Sequence, residues 1–240
     1  MLAASLHEPA QSNGWLAILC PGYLDSKDYA GLVGLAEALA EQGYTVVRFD
    51  TTGMWASEGT IDEYLTSQYL SDVRSVLDYM LTRGRYRHVL LGGHSRGGQV
   101  SLLYAARDQR ISQVVAIMPS SRHSTARKLK EGWKETGFRL SKRDVPGSSE
   151  LREFRVPYSH AEDRDQYDVV ADVQKITAPI VFITGELDDT VPPEYVREIY
   201  DSANKPKRYI LLPGVDHDYR HDPQKIKKVN DSVLEALSPK

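Results

Sequence analysis

Short, continuous apolar runs alternate with stretches of helical periodicity along nearly the whole chain. This alternation constrains the fold more than any other feature. Trp15–Cys20 is such a run, closed by the turn pair Pro21-Gly22. Leu32, Leu35, Ala36, Leu39 and Ala40 then share one helical face, and Gly43 ends the helix. Tyr44–Phe49 reads as the next strand, Tyr69–Leu81 as an amphipathic helix, His88–Leu91 as a strand and Ser95–Ala106 as a helix. Val114–Met118, Ile180–Thr184 and Arg208–Leu212 read as further strands, and Lys225–Leu237 as a final helix. The strands are apolar throughout rather than every second residue, so both of their faces must be covered. The pattern predicts an α/β fold with a mostly parallel sheet and helices on both faces. In such sheets the loops at the carboxyl ends of strands carry the functional groups.

Composition narrows the classes. The chain has 240 residues, 41% hydrophobic and 26% charged, with a net charge of −3. That excludes a disordered, collagen-like or disulfide-stapled chain, and it gives no whole-molecule reason to expect a nucleic-acid partner. One domain over 1–240 is expected for this length. Cys20 is the single cysteine, so no internal disulfide forms, which fits a reducing compartment. The start shows neither a basic n-region nor an apolar h-region, and no stretch approaches about 18 consecutive apolar residues. The expected location is the cytoplasm, with no membrane span. Few residues precede Trp15, leaving room for one or two short antiparallel strands at the sheet edge. The oligomeric state is not readable.

Residues 121–172 break the rhythm and show no clear strand. Their first part, 121–143, holds eight Lys or Arg against two Glu; 144–172 holds three Arg against eight acids. The expectation is a small helical insertion, either a solvated appendage or a cap over the carboxyl edge of the sheet. Trp133 and Phe138 either line a pocket there or pack the insertion onto the body.

The sharpest motif is Gly93-His94-Ser95-Arg96-Gly97-Gly98, placed between the His88–Leu91 strand and the following helix. Gly-x-Ser-x-Gly in that setting is a nucleophile elbow: a sharp turn presents the serine hydroxyl near a helix N-terminus, where backbone N–H groups favour developing negative charge. A serine hydroxyl needs a base and an orienting acid. Acids follow the Ile180–Thr184 strand in Gly185-Glu186-Leu187-Asp188-Asp189-Thr190-Val191-Pro192. A histidine follows the Arg208–Leu212 strand in Pro213-Gly214-Val215-Asp216-His217. Serine, acid and histidine in that chain order, all just after strands, fall on one edge of a parallel sheet. No histidine–cysteine spacing suggests a metal site, and there is no Gly-rich phosphate loop. No cofactor is expected.

These motifs, running from Leu19 to His217, resemble the α/β-hydrolase superfamily, in the branch of small carboxylesterases, cinnamoyl (feruloyl) esterases and monoacylglycerol-lipase-like enzymes. The resemblance implies Ser95 as nucleophile and His217 as base. It selects Asp188 as acid through the pattern Gly-x-x-Asp-x-x-Val-Pro, with Asp189 and His221 as fallbacks. It implies an oxyanion hole made by the backbone N–H groups of Tyr23 and Arg96; Pro21 stands where relatives carry histidine. Asp50–Gly59 resembles a structural loop of the family, with Trp55 in place of a glycine. Trp55 and Trp133 are candidate substrate contacts.

The implied activity is hydrolysis of a small-molecule carboxylic ester, with a short to medium or aryl acyl group, through an acyl-enzyme. The same residue set also serves amide or peptide, thioester and carbon–carbon bond cleavage, and a non-catalytic binding protein on this fold is the third alternative. The basic stretch 121–143 either attracts an anionic substrate or keeps an exposed helix solvated.

Overall fold

The computed structural model describes residues 1–121 and 127–238. The chain opens with a short strand β1 (Ala4–His7), then β2 (Trp15–Cys20), helix α1 (Ala30–Glu41), β3 (Thr45–Phe49), α2 (Thr66–Arg83), β4 (His88–His94), α3 (Arg96–Ala105) and β5 (Gln113–Ile117). An insertion follows, made of α4 (Arg127–Thr136), β6 (Phe138–Asp144), β7 (Leu151–Pro157), α5 (Ser159–Arg164) and α6 (Val169–Asp172). The last part is β8 (Ile180–Gly185), α7 (Pro193–Ser202), β9 (Lys207–Leu212) and α8 (Pro223–Leu237).

Seven strands form one sheet in the order β1-β3-β2-β4-β5-β8-β9. Only β1 runs antiparallel, pairing Ala4 with Phe49; the other pairings are parallel. Side chains alternate across the sheet, and the two faces separate cleanly. Leu16, Ile18, Leu91 and Phe182 face one core with Tyr69 and Val73 of α2, Val100 of α3 and Ile199 of α7. Ala17, Leu19, Leu90 and Ile183 face the other with Leu35 and Leu39 of α1 and Val229 and Val233 of α8. That double coverage is why the strands read as unbroken apolar runs.

The insertion departs from expectation. Residues 138–157 form an antiparallel hairpin, in register from Phe138 opposite Pro157 to Asp144 opposite Leu151. No apolar run announces it. The exposed positions carry Lys142, Arg152, Glu153 and Arg155 beside Leu140 and Leu151, Arg139 is half-buried, and only Ser141, Phe154 and Val156 turn inward to full burial. Its turn is built by Pro146-Gly147, with Gly147 at φ +72° and the Ser148 N–H donating to the Val145 carbonyl at 3.0 Å, the geometry of a type II turn. The hairpin packs on the body through a third apolar cluster of Leu24, Met54, Tyr64, Trp133, Phe154, Val156 and Ala161. The insertion is therefore part strand and part helix, seated at the carboxyl end of the sheet. Helix α7 is a further element absent from the sequence reading. Among the described residues no helix is long and apolar enough to cross a membrane.

Candidate active site

Ser95 sits between β4 and α3 with φ +55° and ψ −118°, a conformation that non-glycine residues avoid. Three backbone bonds hold it there. Its N–H donates to Ile117 O at 2.8 Å, and its carbonyl accepts from Gln99 N at 3.0 Å and Ser120 N at 3.1 Å. The flanking glycines are required by close approach. A Cβ at Gly93 would lie 2.4 Å from the Cys20 carbonyl oxygen, and one at Gly97 would lie 2.1 Å from the same atom. Helix α3, buried at every position, backs the turn.

The neighbouring loops bring up the other two groups. Strands β8 and β9 pair side by side, and their exits are laced together by Glu186 N–H to Leu212 O at 3.0 Å and Leu187 N–H to Val215 O at 2.9 Å. His217 Nε2 lies 2.9 Å from Ser95 Oγ, and His217 Nδ1 lies 2.8 Å from Asp188 Oδ2. The other Asp188 oxygen accepts from Val191 N at 2.7 Å and Thr190 N at 3.0 Å, which fixes the carboxylate plane. Ser95, Asp188 and His217 are all buried. Asp189 is exposed on the rim of the pocket and His221 is exposed in a short turn, so neither fallback joins this row.

A cavity of about 590 Å³ opens beside Ser95. Tyr23, Arg96 and Trp133 line it; Trp55 does not. Trp133 is also a packing residue: it is buried and its Nε1–H donates to Val156 O at 3.0 Å. Trp55 Nε1–H donates to Leu24 O at 3.0 Å, and its ring meets Tyr29 and Phe154 edge-on. The loop carrying Tyr23 is clamped from below, because Tyr64 Oη accepts from Leu24 N at 2.7 Å and Tyr69 Oη donates to Pro21 O at 2.8 Å. Asp50 is structural: one of its carboxylate oxygens accepts from Lys27 N at 2.8 Å and the other from Ala56 N at 3.3 Å.

Three features of the site escaped the sequence reading. Ser120, just past β5, places its Oγ 3.2 Å from Ser95 Oγ; its position beyond a parallel strand was the available signal. His94 is half-buried, with its Nε2 sealed from solvent and its ring centroid 4.6 Å from that of His217. Burial, reinforced by His217 and Arg220, holds its pKa well below the usual imidazole value, so it stays neutral. Asp25 lines the pocket near Arg143 and Arg220; burial pushes its pKa up against the pull of those two cations. Among the described residues no group of three or more His, Cys, Asp and Glu is arranged to hold a metal ion.

Comparison with known proteins places the chain. Mouse palmitoyl-protein thioesterase ABHD10, a mitochondrial protein, is 24% identical over 199 residues, 81% of this chain and 66% of the relative, so the match spans just under two thirds of that protein. The structure of Est1E from Butyrivibrio proteoclasticus with bound ferulic acid superposes with a TM-score of 0.79 at 23% identity, covering 98% of this chain and 94% of that one. The monoacylglycerol lipase of Paleococcus ferrophilus superposes with a TM-score of 0.79 at 20% identity, covering 99% and 98%. These structural likenesses are likenesses of fold. The profile of one family, described as alpha/beta hydrolase fold, matches residues 18–143, more than half of the sequence, and the chain therefore belongs to the alpha/beta hydrolase fold family.

Proposed function

We propose that the protein is a serine hydrolase that cleaves carboxylic esters of short to medium or aryl acyl groups. The observation that carries this reading is the row Asp188–His217–Ser95, joined at 2.8 and 2.9 Å, with Ser95 on a strained turn facing a pocket. His217 Nδ1–H donates to Asp188, which leaves Nε2 free to accept the Ser95 proton as Oγ attacks the acyl carbonyl. The charge that develops on the carbonyl oxygen is held by the N–H groups of Tyr23 and Arg96; losing one such donor typically costs about 10²–10³ in rate. The imidazolium returns its proton to the leaving alcohol, and water, activated in the same way, releases the acyl group. The residues perform this without a cofactor.

A thioester is the second reading, supported by the relative named as a palmitoyl-protein thioesterase. The cavity speaks for smaller, more polar acyl groups, since eight of the residues that line it are Arg or Asp. A cytoplasmic location belongs to the same proposal, supported by the buried, unpaired Cys20. The test is hydrolysis of 4-nitrophenyl acetate and butyrate by the wild type and by Ser95→Ala, alongside labelling with a fluorophosphonate probe. Turnover and labelling that both vanish in the variant support the reading. Labelling that persists in Ser95→Ala, or turnover equal to wild type, overturns it.

A further inference from the structure

The two N–H groups assigned to the oxyanion hole come from separate elements, Tyr23 from the loop after β2 and Arg96 from the start of α3. One side chain touches both. Tyr64 is 2% exposed and sits between a short helical turn, Ile61–Glu63, and α2. Its backbone is fixed at φ −74° and ψ 62°, and Leu65 N–H donates across it to Glu63 O at 2.7 Å, an inverse γ-turn.

The Tyr64 hydroxyl reaches the peptides on either side of Tyr23. It accepts from Leu24 N at 2.7 Å and donates to Gly22 O at 3.5 Å. Gly22 O and Tyr23 N–H belong to one peptide unit. In a trans peptide these groups point in opposite directions, so a partner on Gly22 O turns the Tyr23 N–H away from Tyr64. Leu24 has to be held: its φ is +59°, a region that leucine avoids unless its surroundings impose it. Tyr64 binds its N–H, and Trp55 Nε1–H binds its carbonyl. The Tyr64 ring serves the other donor. Arg96 Cζ lies 4.0 Å from the ring centre, and among the described residues its three side-chain nitrogens have no hydrogen-bond partner. This cation–π contact, with a longer one to Tyr69 at 5.3 Å, anchors the side chain.

The insertion grips the same segment. His160 of α5 stacks on Tyr64, with ring centroids 5.1 Å apart and planes 17° apart, and its Nδ1–H donates to Tyr64 O at 2.6 Å. Asp163 of the same helix accepts from Thr66 N at 2.6 Å and Ser67 N at 3.0 Å. Trp133 of α4 stacks on His160 in turn, at 5.7 Å and 20°. The series Trp133, His160, Tyr64, Arg96 thus runs from the insertion to the residue that follows Ser95.

We propose that Tyr64 is a positioning residue for the oxyanion hole, holding Tyr23 N–H and Arg96 N–H at one spacing, and that the insertion holds Tyr64 through His160. This rests on the serine-hydrolase reading above. Tyr64 does not line the cavity, so its effect passes through the two donors. Those donors act most strongly on the tetrahedral oxyanion, and a misplaced donor therefore costs kcat rather than KM.

Tyr64→Phe keeps the ring on Arg96 and His160 and removes only the hydroxyl. With 4-nitrophenyl butyrate its kcat is expected to fall about ten- to a hundredfold, with KM within about threefold of wild type. 1,1,1-Trifluoropentan-2-one carries the same acyl chain. Ser95 Oγ adds to its carbonyl, the proton passes to His217, and the carbonyl oxygen becomes an oxyanion. Its inhibition constant should rise by the factor that kcat loses. Tyr104→Phe, which deletes a hydroxyl bound to Asp108 at the far end of α3, keeps the wild-type values. His160→Phe keeps a stacked ring, loses the bond to Tyr64 O, and moves kcat and the inhibition constant in the same directions by about three- to tenfold. Wild-type values in Tyr64→Phe overturn the proposal, as does a loss confined to KM or one that leaves the affinity for the ketone unchanged. If Tyr64→Phe does not fold, His160→Phe decides: matched changes in kcat and the inhibition constant support the proposal, and wild-type values overturn it. If the wild type does not turn over the butyrate, the rate of fluorophosphonate labelling at Ser95 replaces kcat, because phosphonylation uses the same donors. Turnover equal in Ser95→Ala and wild type overturns the hydrolase reading and the proposal with it. Turnover that needs Ser95 but is untouched in Tyr64→Phe overturns the proposal alone.

Discussion

Ser120 Oγ lies 3.2 Å from Ser95 Oγ, so two hydroxyls and the His217 ring meet at one point. The Ser120 backbone N–H also donates to the Ser95 carbonyl, tying the end of β5 to the strained turn. If Ser95 gives its proton toward His217, the Ser120 hydroxyl is the donor between the two serines. Ser120→Ala then removes a single neutral hydrogen bond and lowers kcat/KM by up to about tenfold. Ser95→Ala lowers it by several orders of magnitude. Steady-state kinetics on one chromogenic ester separates the two outcomes.

Asp188 and Asp189 are adjacent, yet only Asp188 reaches His217. Asp188→Asn keeps an oxygen for the Val191 and Thr190 amides but offers His217 Nδ1 an N–H, which stabilises the wrong tautomer. Its kcat is expected to fall about 10³–10⁴-fold, while Asp189→Asn stays within about threefold of wild type. Equal losses in the two variants would remove Asp188 from its assigned role.

The glycines separate by what surrounds them. Gly97→Ala forces a methyl group onto the Cys20 and Pro21 backbone oxygens, at 2.1 and 2.7 Å, and is expected to yield unfolded or insoluble protein. Gly132, inside α4, has no neighbour within 4 Å of an added Cβ. Gly132→Ala is expected to stabilise by about 0.5–1 kcal/mol, read from urea unfolding.

His160 is buried and His94 half-buried, and desolvation holds both pKa values well below the ordinary 6.5. The unfolded chain therefore binds protons on these rings before the folded protein does. Their contribution to stability is whole above pH 6.5 and is lost as pH falls from there toward the folded values. Urea midpoints should drop between pH 7.5 and 5. His160→Gln, which removes one such ring, should show a shallower drop, although losing the 2.6 Å bond to Tyr64 O lowers its stability at every pH. An equally steep drop in the variant would assign the acid sensitivity elsewhere.

The sheet edge that carries Ser95, Asp188 and His217 was readable because its signals are local. A serine between glycines, an acid beside Val-Pro and a histidine after Pro-Gly each follow a parallel strand, and β8 and β9 then bring the last two loops together. The β6–β7 hairpin was not readable, since its strands spend half of their positions on charges and hold together by backbone pairing and three inward side chains. Helix α7 was within reach: Val196 and Ile199 have helical spacing and are buried, but the preceding prolines read as a loop. The basic stretch 121–143 left an anionic substrate and a solvated helix both open. Only the fold shows that its Arg139 lines the same pocket as Ser95 and His217.

Cys20 ends β2, fully buried, with its backbone carbonyl wedged against Gly93 and Gly97. Burial pushes its thiol up to about 12, and the thiolate is the reactive form, so the sulfur is chemically silent while the sheet is intact. Because it is the single cysteine and it touches the elbow, each maleimide adduct counts one molecule in which the nucleophile turn has come apart. The protein thus contains its own clock for the opening of the structure that strains Ser95.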